Sequence, residues 1–252
     1  MSLKSKLIEI CPDAIFAKLY TAYNKRGIKI QRSFIPTYES WLITGDEFAL
    51  VSPTARFTSV SMKEFEAKFE PYFKIEKGDV CLDVGACIGD TTFPIALKTG
   101  SSGHVYAVEP NKLNIEYLEI NTKFFPYVET YELAVWKEKG SVTFHEHSTP
   151  TGHSLIPLSL RKTETIVQTD TLDNLFKDVV FDFAKIDVQS AEVEVLSGAT
   201  EFLKTTRKLV VECHHDYKNE LKDTHKTVFR ILNRHYSNVM YSEKYNLCYA
   251  WR

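Results

Sequence analysis

The sequence is short of cysteine and has no long apolar run. Its five cysteines are scattered, and none stands in a CxxC pair. This pattern argues against a disulfide framework and against a zinc site, and we expect no bound metal. No stretch approaches the roughly 20 apolar residues of a membrane span, and the N-terminus has no apolar run typical of a signal peptide. We therefore expect a soluble, cytoplasmic protein without a membrane span.

An excess of charge of either sign is also missing. The 252 residues include 31 basic and 33 acidic side chains, which gives a net charge of -2, and 44% of the residues are hydrophobic. This balance gives no global reason to expect a nucleic acid or an acidic membrane as a partner. The length and the hydrophobic share are sufficient to bury a large core.

Residues 1–75 are predicted to form an N-terminal extension of helix and hairpin. A helix is expected after Pro12 and before Gly27, because proline is favoured in the first turn of a helix and glycine just past its end. Two short strands around Gly45-Asp46 predict a hairpin. The segment SMKEFEAKFEPYF predicts a short helix.

From Gly78 onward, apolar strands alternate with helical segments. This alternation is typical of an α/β domain whose parallel sheet is covered by helices on both faces, and we place the domain at residues 76–252. The predicted strands are VCLDV, HVYAVE, VETYELAV, FAKID and KLVVEC, followed by a C-terminal antiparallel hairpin of NVMYS and LCYAW. The predicted helices are GDTTFPIALKTG, NKLNIEYLEINTKFF, AEVEVLSGATEFLK and HKTVFRILNRHY.

The first of these strands runs into a glycine loop, VCLDVGACIGDTT. A strand, a glycine turn and a helix place backbone N–H groups at the edge of a parallel sheet where ligands bind. The dinucleotide fingerprint G-x-G-x-x-G has glycine at three positions, but the chain has Gly85, Cys87 and Asp90 there. The carboxylate of Asp90 would also lie where a pyrophosphate binds. A ligand without phosphates is therefore favoured.

S-adenosylmethionine is a ligand of this kind. Its ribose has two free hydroxyls, which an acid at the end of the second strand can bind. Glu109 in HVYAVEPN stands at that position. Cys87 is interpreted as a small residue of the turn, since a buried cysteine usually behaves as a small hydrophobe.

The order of these motifs resembles the FkbM family of S-adenosylmethionine-dependent methyltransferases. The resemblance covers roughly residues 65–215 and rests on GDVCLDVGACIGDTT, YAVEPN, ELAVW, TLDNLF, AKIDVQSAEVEVLSGA and VVECH. It implies a class I Rossmann-like fold with a mostly parallel seven-stranded sheet. Two positions depart from the family: Cys87 stands where asparagine is common, and Gln189-Ser190 stand where Glu-Gly is common.

The resemblance also implies roles for particular residues. Asp83, Gly85 and Gly89 would shape the methionine end of the donor site, and Glu109 would bind the ribose. Ala134 would border the adenine, and Asp187 would face the donor or the acceptor. With the loop residues that adjoin them, the implied cofactor-binding set is Asp83, Gly85, Ala86, Cys87, Gly89, Glu109, Pro110, Asn111, Ala134 and Asp187.

A hydroxyl acceptor has a proton to lose, so a general base is expected near the site. The candidate catalytic residues are Asp187, Glu212 and His214. His215 and a histidine of the segment HEHSTPTGHSLIPLSLRK, residues 145–162, are further candidates. That segment lies between two strand-like runs and is predicted to form a loop over the site. A metal held by Asp187, Glu212 and His214 is an alternative, although no ligand motif requires it.

The family resemblance suggests O-methylation of a sugar or another small hydroxylated metabolite. The extension and the loop near His153 are expected to form the acceptor side, or the extension serves a homodimer contact. Two alternatives remain open. One is a non-catalytic Rossmann-like binding module, favoured by the change at Gln189-Ser190, and the other is an NAD-dependent oxidoreductase, opposed by Cys87 and Asp90.

Overall fold

A computed structural model describes residues 31–35, 40–44, 49–54, 62–146, 153–155, 163–214 and 224–252. The helix predicted between Pro12 and Gly27, the hairpin turn at Gly45-Asp46 and His215 lie outside these residues. So does most of the predicted loop over the site, residues 147–152 and 156–162. Among the described residues, no helix is long and apolar enough to cross a membrane.

The described chain contains thirteen strands and seven helices. The strands are β1 (Gln31–Ile35), β2 (Ser40–Thr44), β3 (Ala49–Ser52), β4 (Val80–Val84), β5 (His104–Val108), β6 (Val128–Tyr131), β7 (Ala134–Val135), β8 (Gly140–Glu146), β9 (Thr163–Asp170), β10 (Phe183–Ile186), β11 (Lys208–Glu212), β12 (Asn238–Ser242) and β13 (Leu247–Trp251). The helices are α1 (Met62–Phe69), α2 (Thr92–Thr99), α3 (Lys112–Thr122), α4 (Leu172–Leu175), α5 (Glu192–Ser197), α6 (Thr200–Thr205) and α7 (Thr224–Leu232).

A seven-stranded sheet forms the centre of the molecule, in the order β12-β13-β11-β10-β4-β5-β6. The pairs from β11 to β6 are parallel, and β13 is antiparallel to both of its neighbours. The predicted Rossmann-like class I fold and its C-terminal hairpin are therefore confirmed. The chain passes from β4 to β5 and β6 on one side and later returns to β10 and β11 on the other side. The strand order therefore reverses between β4 and β10, the point where ligands bind in such sheets.

Alternate residues of the central strands face two separate apolar cores. In β10, Ala184 and Ile186 pack in the cluster under α5 to α7, whereas Phe183 packs in the cluster under α1 and α2. Lys185 follows the same alternation and lies on the second face, directly opposite Asp83 of β4. A strand buried on both faces thus brings a charged pair into the interior.

Two predicted elements are each divided in the structure. The predicted strand VETYELAV becomes β6 and β7, because β6 is the sheet edge and the chain turns away at the exposed Glu132. The second half pairs with β9 in a small sheet that also contains β8. The predicted helix from Ala191 to Lys204 becomes α5 and α6, because the backbone of Gly198 lies against Trp136, whose carbonyl oxygen would be 2.8 Å from an added Cβ.

The described part of the extension forms an antiparallel sheet, β1-β2-β3, against α3. The side chain of Asn121 on α3 closes the edge of this sheet: its Oδ1 accepts from the Val51 amide at 2.8 Å, and its Nδ2 donates to the Val51 carbonyl at 3.0 Å. Tyr117 forms a second buried link, to Ser40 at 2.8 Å. A domain division after residue 75 stays a prediction.

Candidate active site

A cavity of about 700 Å³, its mouth included, opens at the C-terminal ends of β4, β5 and β10. Its apolar lining residues include Val108, Pro110, Leu133, Ala134, Val135, Phe144, Leu155 and Val188. Its polar and charged lining residues include Asp90, Thr91, Glu109, Lys185, Asp187 and Gln189. The cavity is therefore amphipathic and carries more carboxyl groups than cations.

The glycine loop after β4 is shaped by close contact with the backbone after β10. Gly85 has a φ of 77°, and an added Cβ would be 1.8 Å from the carbonyl oxygen of Asp187. Gly89 has a φ of 92° and lies against Leu118 of α3. Both conformations favour glycine. The two glycines are thus explained by packing of the loop, and a role at the methionine end of a donor stays a prediction.

Cys87 has a φ of 51° in the same loop. This left-handed conformation is unusual for a residue with a side chain and is best tolerated by glycine and asparagine. Burial raises the pKa of the thiol well above its ordinary value, so that at neutral pH the sulfur is not the reactive thiolate. This agrees with its interpretation as a small residue of the turn.

Glu109 is buried at the end of β5 and lines the cavity. One carboxylate oxygen accepts from the backbone amide of Cys87, and the other accepts from the amide of Asn111, both at 2.9 Å. Burial raises the pKa of Glu109 to about 7, against the opposing effect of these hydrogen bonds. The carboxylate is held in one orientation with lone pairs left over for a ligand.

Asn111 itself is a helix cap and does not line the cavity. Its Oδ1 accepts from the amide of Asn114 at 3.0 Å, which caps α3. Because the same loop contributes Pro110 to the cavity wall, Asn111 acts on the site by fixing the start of α3. This satisfies one of the N–H groups that a helix leaves unpaired.

Asp83 and Lys185 form a buried ion pair at the base of the cavity. Their closest atoms, Oδ1 and Nζ, are 3.1 Å apart, and the two side chains are 0% and 2% exposed. The hydroxyls of Thr91 and Thr92 donate to the other oxygen of Asp83, each at 2.7 Å. Both carboxylate oxygens of Asp83 therefore already have partners within the protein, and Asp83 does not line the cavity.

Lys185 also contacts the two loops that border the cavity. Its Nζ lies 3.5 Å from the carbonyl oxygen of Gly85 and 3.6 Å from Oδ2 of Asp187. Burial acts against the charged form, but attraction to Asp83, Asp187 and Asp90 raises the pKa of Lys185 above its ordinary value. The amine is a permanent cation between three carboxyl groups.

Asp187 lies beside Gln189 and His214, with its Oδ1 atom 3.7 Å from Nε2 of the histidine. The amide nitrogen of Gln189 lies 3.1 Å from Oδ1 of Asp187 and 2.9 Å from Nε2 of His214, and Nδ1 of His214 lies 2.8 Å from Glu192. Burial would raise the pKa of Asp187, but Lys185 and His214 keep it below its ordinary value. Burial would lower the pKa of His214, but Glu192 and Asp187 raise it to about 9.

These shifts bear on the candidate bases. Asp187 lines the cavity but holds its proton weakly, and His214 is protonated at neutral pH and is separated from the cavity by Gln189. Glu212 pairs with Lys68 at 2.9 Å and does not line the cavity. Asp187, Glu212 and His214 therefore do not converge on one point, and no group of three possible metal ligands occurs in the described part of the chain.

The hairpin of β8 and β9 and residues 153–155 also contribute to the apolar lining of the cavity. His145 and Ser154 exchange backbone hydrogen bonds, and the Ser154 hydroxyl donates to the Gln189 carbonyl at 2.5 Å. The rings of His153 and Phe144 are 5.8 Å apart. The described part of the predicted loop therefore does lie at the cavity, and His153 is part of its wall.

The structure brings some of the predicted residues to the cavity and not others. The predicted residues that line it are Gly85, Cys87, Glu109, Pro110, Ala134 and Asp187. Asp83, Ala86, Gly89, Asn111, Glu212 and His214 lie behind it or beside it. Lys185 was not predicted as a site residue. A lysine within the largely apolar strand FAKID is nevertheless a signal, since lysine is rarely buried without a partner.

The family model described as the Methyltransferase FkbM domain matches residues 83–239, which is more than half of the chain. The chain belongs to the FkbM methyltransferase family. The match begins at Asp83 and spans the cavity-lining loops after β4, β5 and β10. No curated protein matches the sequence significantly.

Solved structures show weaker similarity. The fibrillarin of Aeropyrum pernix with bound S-adenosyl-L-methionine has 11% identity and a TM-score of 0.47, with 88% of this chain and 98% of that chain covered. A SAM-dependent methyltransferase from Aquifex aeolicus has 16% identity and a TM-score of 0.43, with 76% and 98% covered. A precorrin-6y C5,15-methyltransferase from Geobacter metallireducens has 14% identity and a TM-score of 0.45, with 78% and 94% covered.

Proposed function

We propose that this methyltransferase uses S-adenosylmethionine to methylate a hydroxyl group of a sugar or another small metabolite. The observation that carries the donor assignment is the carboxylate of Glu109, which is fixed at the end of β5 and lines the cavity. Acids at this position bind ribose hydroxyls in nucleotide-binding α/β folds. The apolar wall around Ala134 and Phe144 is suited to an adenine ring.

The charges of the cavity fit this donor. S-adenosylmethionine carries a sulfonium and an ammonium and has no phosphate. Asp90, Glu109 and Asp187 line the cavity together with Lys185, so carboxyl groups outnumber the cation three to one. A pyrophosphate would meet Asp90 at the start of α2, which disfavours the NAD-dependent alternative.

The donor, when bound, supplies an activated methyl group, and the residues around it orient the acceptor. Asp187 is the acid best placed to accept a hydrogen bond from an acceptor hydroxyl, because it lines the cavity and is ionised at neutral pH. Alignment of the reacting groups is a large source of rate acceleration. Gln189 and His214 then serve to position Asp187, and we assign no direct role to Glu212.

The acceptor side is proposed to include His153 and the extension at residues 1–75. The described part of the extension packs on α3, beside the glycine loop. The same extension is the proposed site of a homodimer contact. We place the protein in the cytoplasm, in keeping with its odd number of scattered cysteines, none of which stands in a CxxC pair.

The test is a transfer assay with methyl-labelled S-adenosylmethionine. The acceptors are a panel of mono- and disaccharides and hydroxylated metabolites, each paired with its amino or deoxy analogue. Label should pass to a hydroxyl compound and not to its deoxy analogue, and Asp187→Asn should reduce turnover by about 100-fold or more while donor binding persists.

Other outcomes overturn parts of the proposal. Transfer to amino compounds only would contradict O-methylation. Donor binding without transfer to any acceptor, in the wild type as well as in Asp187→Asn, would favour the non-catalytic binding module, for which the changed pair Gln189-Ser190 is the motivating observation.

A further inference from the structure

The carboxyl groups around Lys185 differ in how many hydrogen bonds and ion pairs they already form within the protein. Asp83 accepts from two threonine hydroxyls and from Lys185. Asp187 accepts from Gln189 and lies near Lys185 and His214. Asp90 lines the cavity, and among the described residues its carboxyl accepts a hydrogen bond only from its own backbone amide. Asp90 is thus the acid at this end of the cavity that remains available to a ligand.

Lys185 does not form a hydrogen bond with the carboxyl of Asp90. Its three N–H groups have three acceptors within 3.6 Å, namely Asp83, the carbonyl of Gly85 and Asp187. Its charge acts on Asp90 through space only. The other charged or titratable groups that act on Asp90 are Asp83 on β4, Asp187 after β10 and, in the loop itself, Cys87. When the carboxyl of Asp90 is ionised, it is therefore a negative charge that no cation of the described residues contacts directly.

The shape of the donor decides which of its groups can reach this carboxyl. The donor is linear, with adenosine at one end and an amino acid at the other. Glu109 follows β5, and Asp90 lies in the loop after the neighbouring strand β4. A donor whose ribose binds Glu109 and whose adenine points away from β4 therefore extends its amino-acid end toward Asp90. That end carries both a carboxylate and an ammonium. Asp90 would repel the carboxylate, whereas the ammonium needs hydrogen-bond acceptors, and a carboxylate is the strongest acceptor in a protein.

We propose that Asp90 recognises the ammonium group of the donor's amino-acid end, and that Asp83 serves instead to hold Lys185. This inference rests on the proposed function, because it assumes an S-adenosyl donor. It assigns the specificity for the amino-acid end to a residue outside the first strand. It also makes donor binding dependent on the ionisation of that residue.

The pH dependence has a defined sign. Burial raises the pKa of Asp90 to about 7, so the carboxyl is largely protonated at pH 6 and largely ionised at pH 8. An ammonium binds the ionised form better, so affinity for the amino-acid end rises with pH across this window and binding releases a proton. Glu109 also has a pKa raised to about 7, so the two acids have to be separated in the test.

Two ligands separate them. S-adenosylhomocysteine has both the ribose and the ammonium, whereas 5′-methylthioadenosine has the ribose without the amino-acid end. Both are titrated calorimetrically into the wild-type protein at pH 6, 7 and 8, and the ratio of their affinities is compared. The ratio should favour S-adenosylhomocysteine increasingly as pH rises, because Glu109 acts on both ligands and cancels.

Two variants complete the design. Asp90→Asn, which keeps the shape of the side chain, should weaken S-adenosylhomocysteine by about 10-fold or more at pH 8, leave 5′-methylthioadenosine within about 2-fold, and make the ratio independent of pH. Glu109→Gln is the matched control, since it also removes a buried acid, and it should weaken both ligands equally.

The inference is overturned if the wild-type ratio does not change with pH, or if Asp90→Asn weakens both ligands to the same extent. The wild-type measurement stands on its own if the variant does not fold. If the wild-type protein binds neither ligand, the proposed function fails and this inference fails with it. Binding of both ligands with a flat ratio leaves the proposed function intact and removes only the role of Asp90.

Discussion

The loops after β4 and β10 lie side by side but hold their shapes by different means. The loop after β4 is fixed by backbone contact: Gly85 lies against the carbonyl of Asp187, and Gly89 against Leu118. The loop after β10 has no glycine, and Gln189 and Ser190 adopt φ values of 52° and 85°. It is fixed by hydrogen bonds from the Ser154 hydroxyl to the Gln189 carbonyl and from the Ser190 amide to Glu192, which also contacts His214.

The difference teaches where each loop can tolerate change. A backbone contact of this kind excludes any side chain, whereas a hydrogen-bonded network tolerates an imperfect residue at some cost in stability. The loop after β4 should therefore be more sensitive to substitution than the loop after β10, which carries Asp187.

The largest expected effect is that of Gly85→Ala. An added Cβ would be 1.8 Å from the carbonyl oxygen of Asp187, so the two loops would have to separate. We expect a loss of about 5 kcal/mol or more in the free energy of unfolding, measured by denaturant titration. Gly78→Ala is the control, because Gly78 has a similar φ of 95° but its Cβ would meet no atom within 3.4 Å. Equal losses in the two variants would contradict the packing explanation.

A somewhat smaller effect is expected for Lys185→Met, which leaves Asp83 and Asp187 without their cation. Removing one partner of a buried pair destabilises by about 3–5 kcal/mol. The loss should be larger at pH 8 than at pH 5, because without the lysine the burial of Asp187 raises the pKa of its carboxyl, which can then take up a proton more easily at the lower pH. The double variant Asp83→Asn with Lys185→Met should recover part of the loss. A loss that is equal at both pH values would point to packing of the lysine stem and not to charge.

The network of the second loop should make stability depend on pH. The pKa of His214 is raised to about 9 in the folded protein, from about 6.5 in an unfolded chain. Its contribution is therefore complete below pH 6.5 and is lost as pH rises through 9. The stability difference between wild type and Glu192→Gln should amount to about 1–2 kcal/mol at pH 6 and fall toward pH 10. A difference that does not change between these values would show that His214 is neutral throughout.

The smallest effect is a gain. Ser190 is buried with a φ of 85°, a conformation that favours glycine, so Ser190→Gly should raise stability by about 0.5–1 kcal/mol. Ser190→Ala keeps the backbone strain and should give no gain. The melting temperatures of the two variants distinguish these cases, and a gain in both would mean that the serine hydroxyl, and not the backbone, is unfavourable.

Much of the fold could be predicted from the sequence, because the strands of the central sheet are buried on both faces. VCLDV, FAKID and LCYAW are mostly apolar, with Asp83, Lys185 and Asp187 as their charged residues, and each supplies a strand of the central sheet. The division of VETYELAV and the split at Gly198 were not predicted, because both depend on contacts with distant segments. No local pattern shows that the chain leaves the sheet edge at Glu132 or that Trp136 crosses beside Gly198.

The site was predictable to the extent that it follows strand ends. Glu109 and Asp187 line the cavity because each follows a parallel strand. Asp83 also belongs to the recognisable motif, yet the sequence could not show that Lys185 would lie opposite it and that two threonines would donate to it. The register between strands that are far apart in the sequence decides which of these three acids lines the cavity.

The most direct test of the account is a calorimetric titration with S-adenosylmethionine and with NAD, on the wild type and on Glu109→Ala. Glu129→Ala, at an exposed carboxylate of β6, is the control. We predict micromolar binding of S-adenosylmethionine, no binding of NAD, and a loss of about 10- to 100-fold in Glu109→Ala alone. Binding of NAD without S-adenosylmethionine, or an unchanged affinity in Glu109→Ala, would contradict the assignment of the donor site.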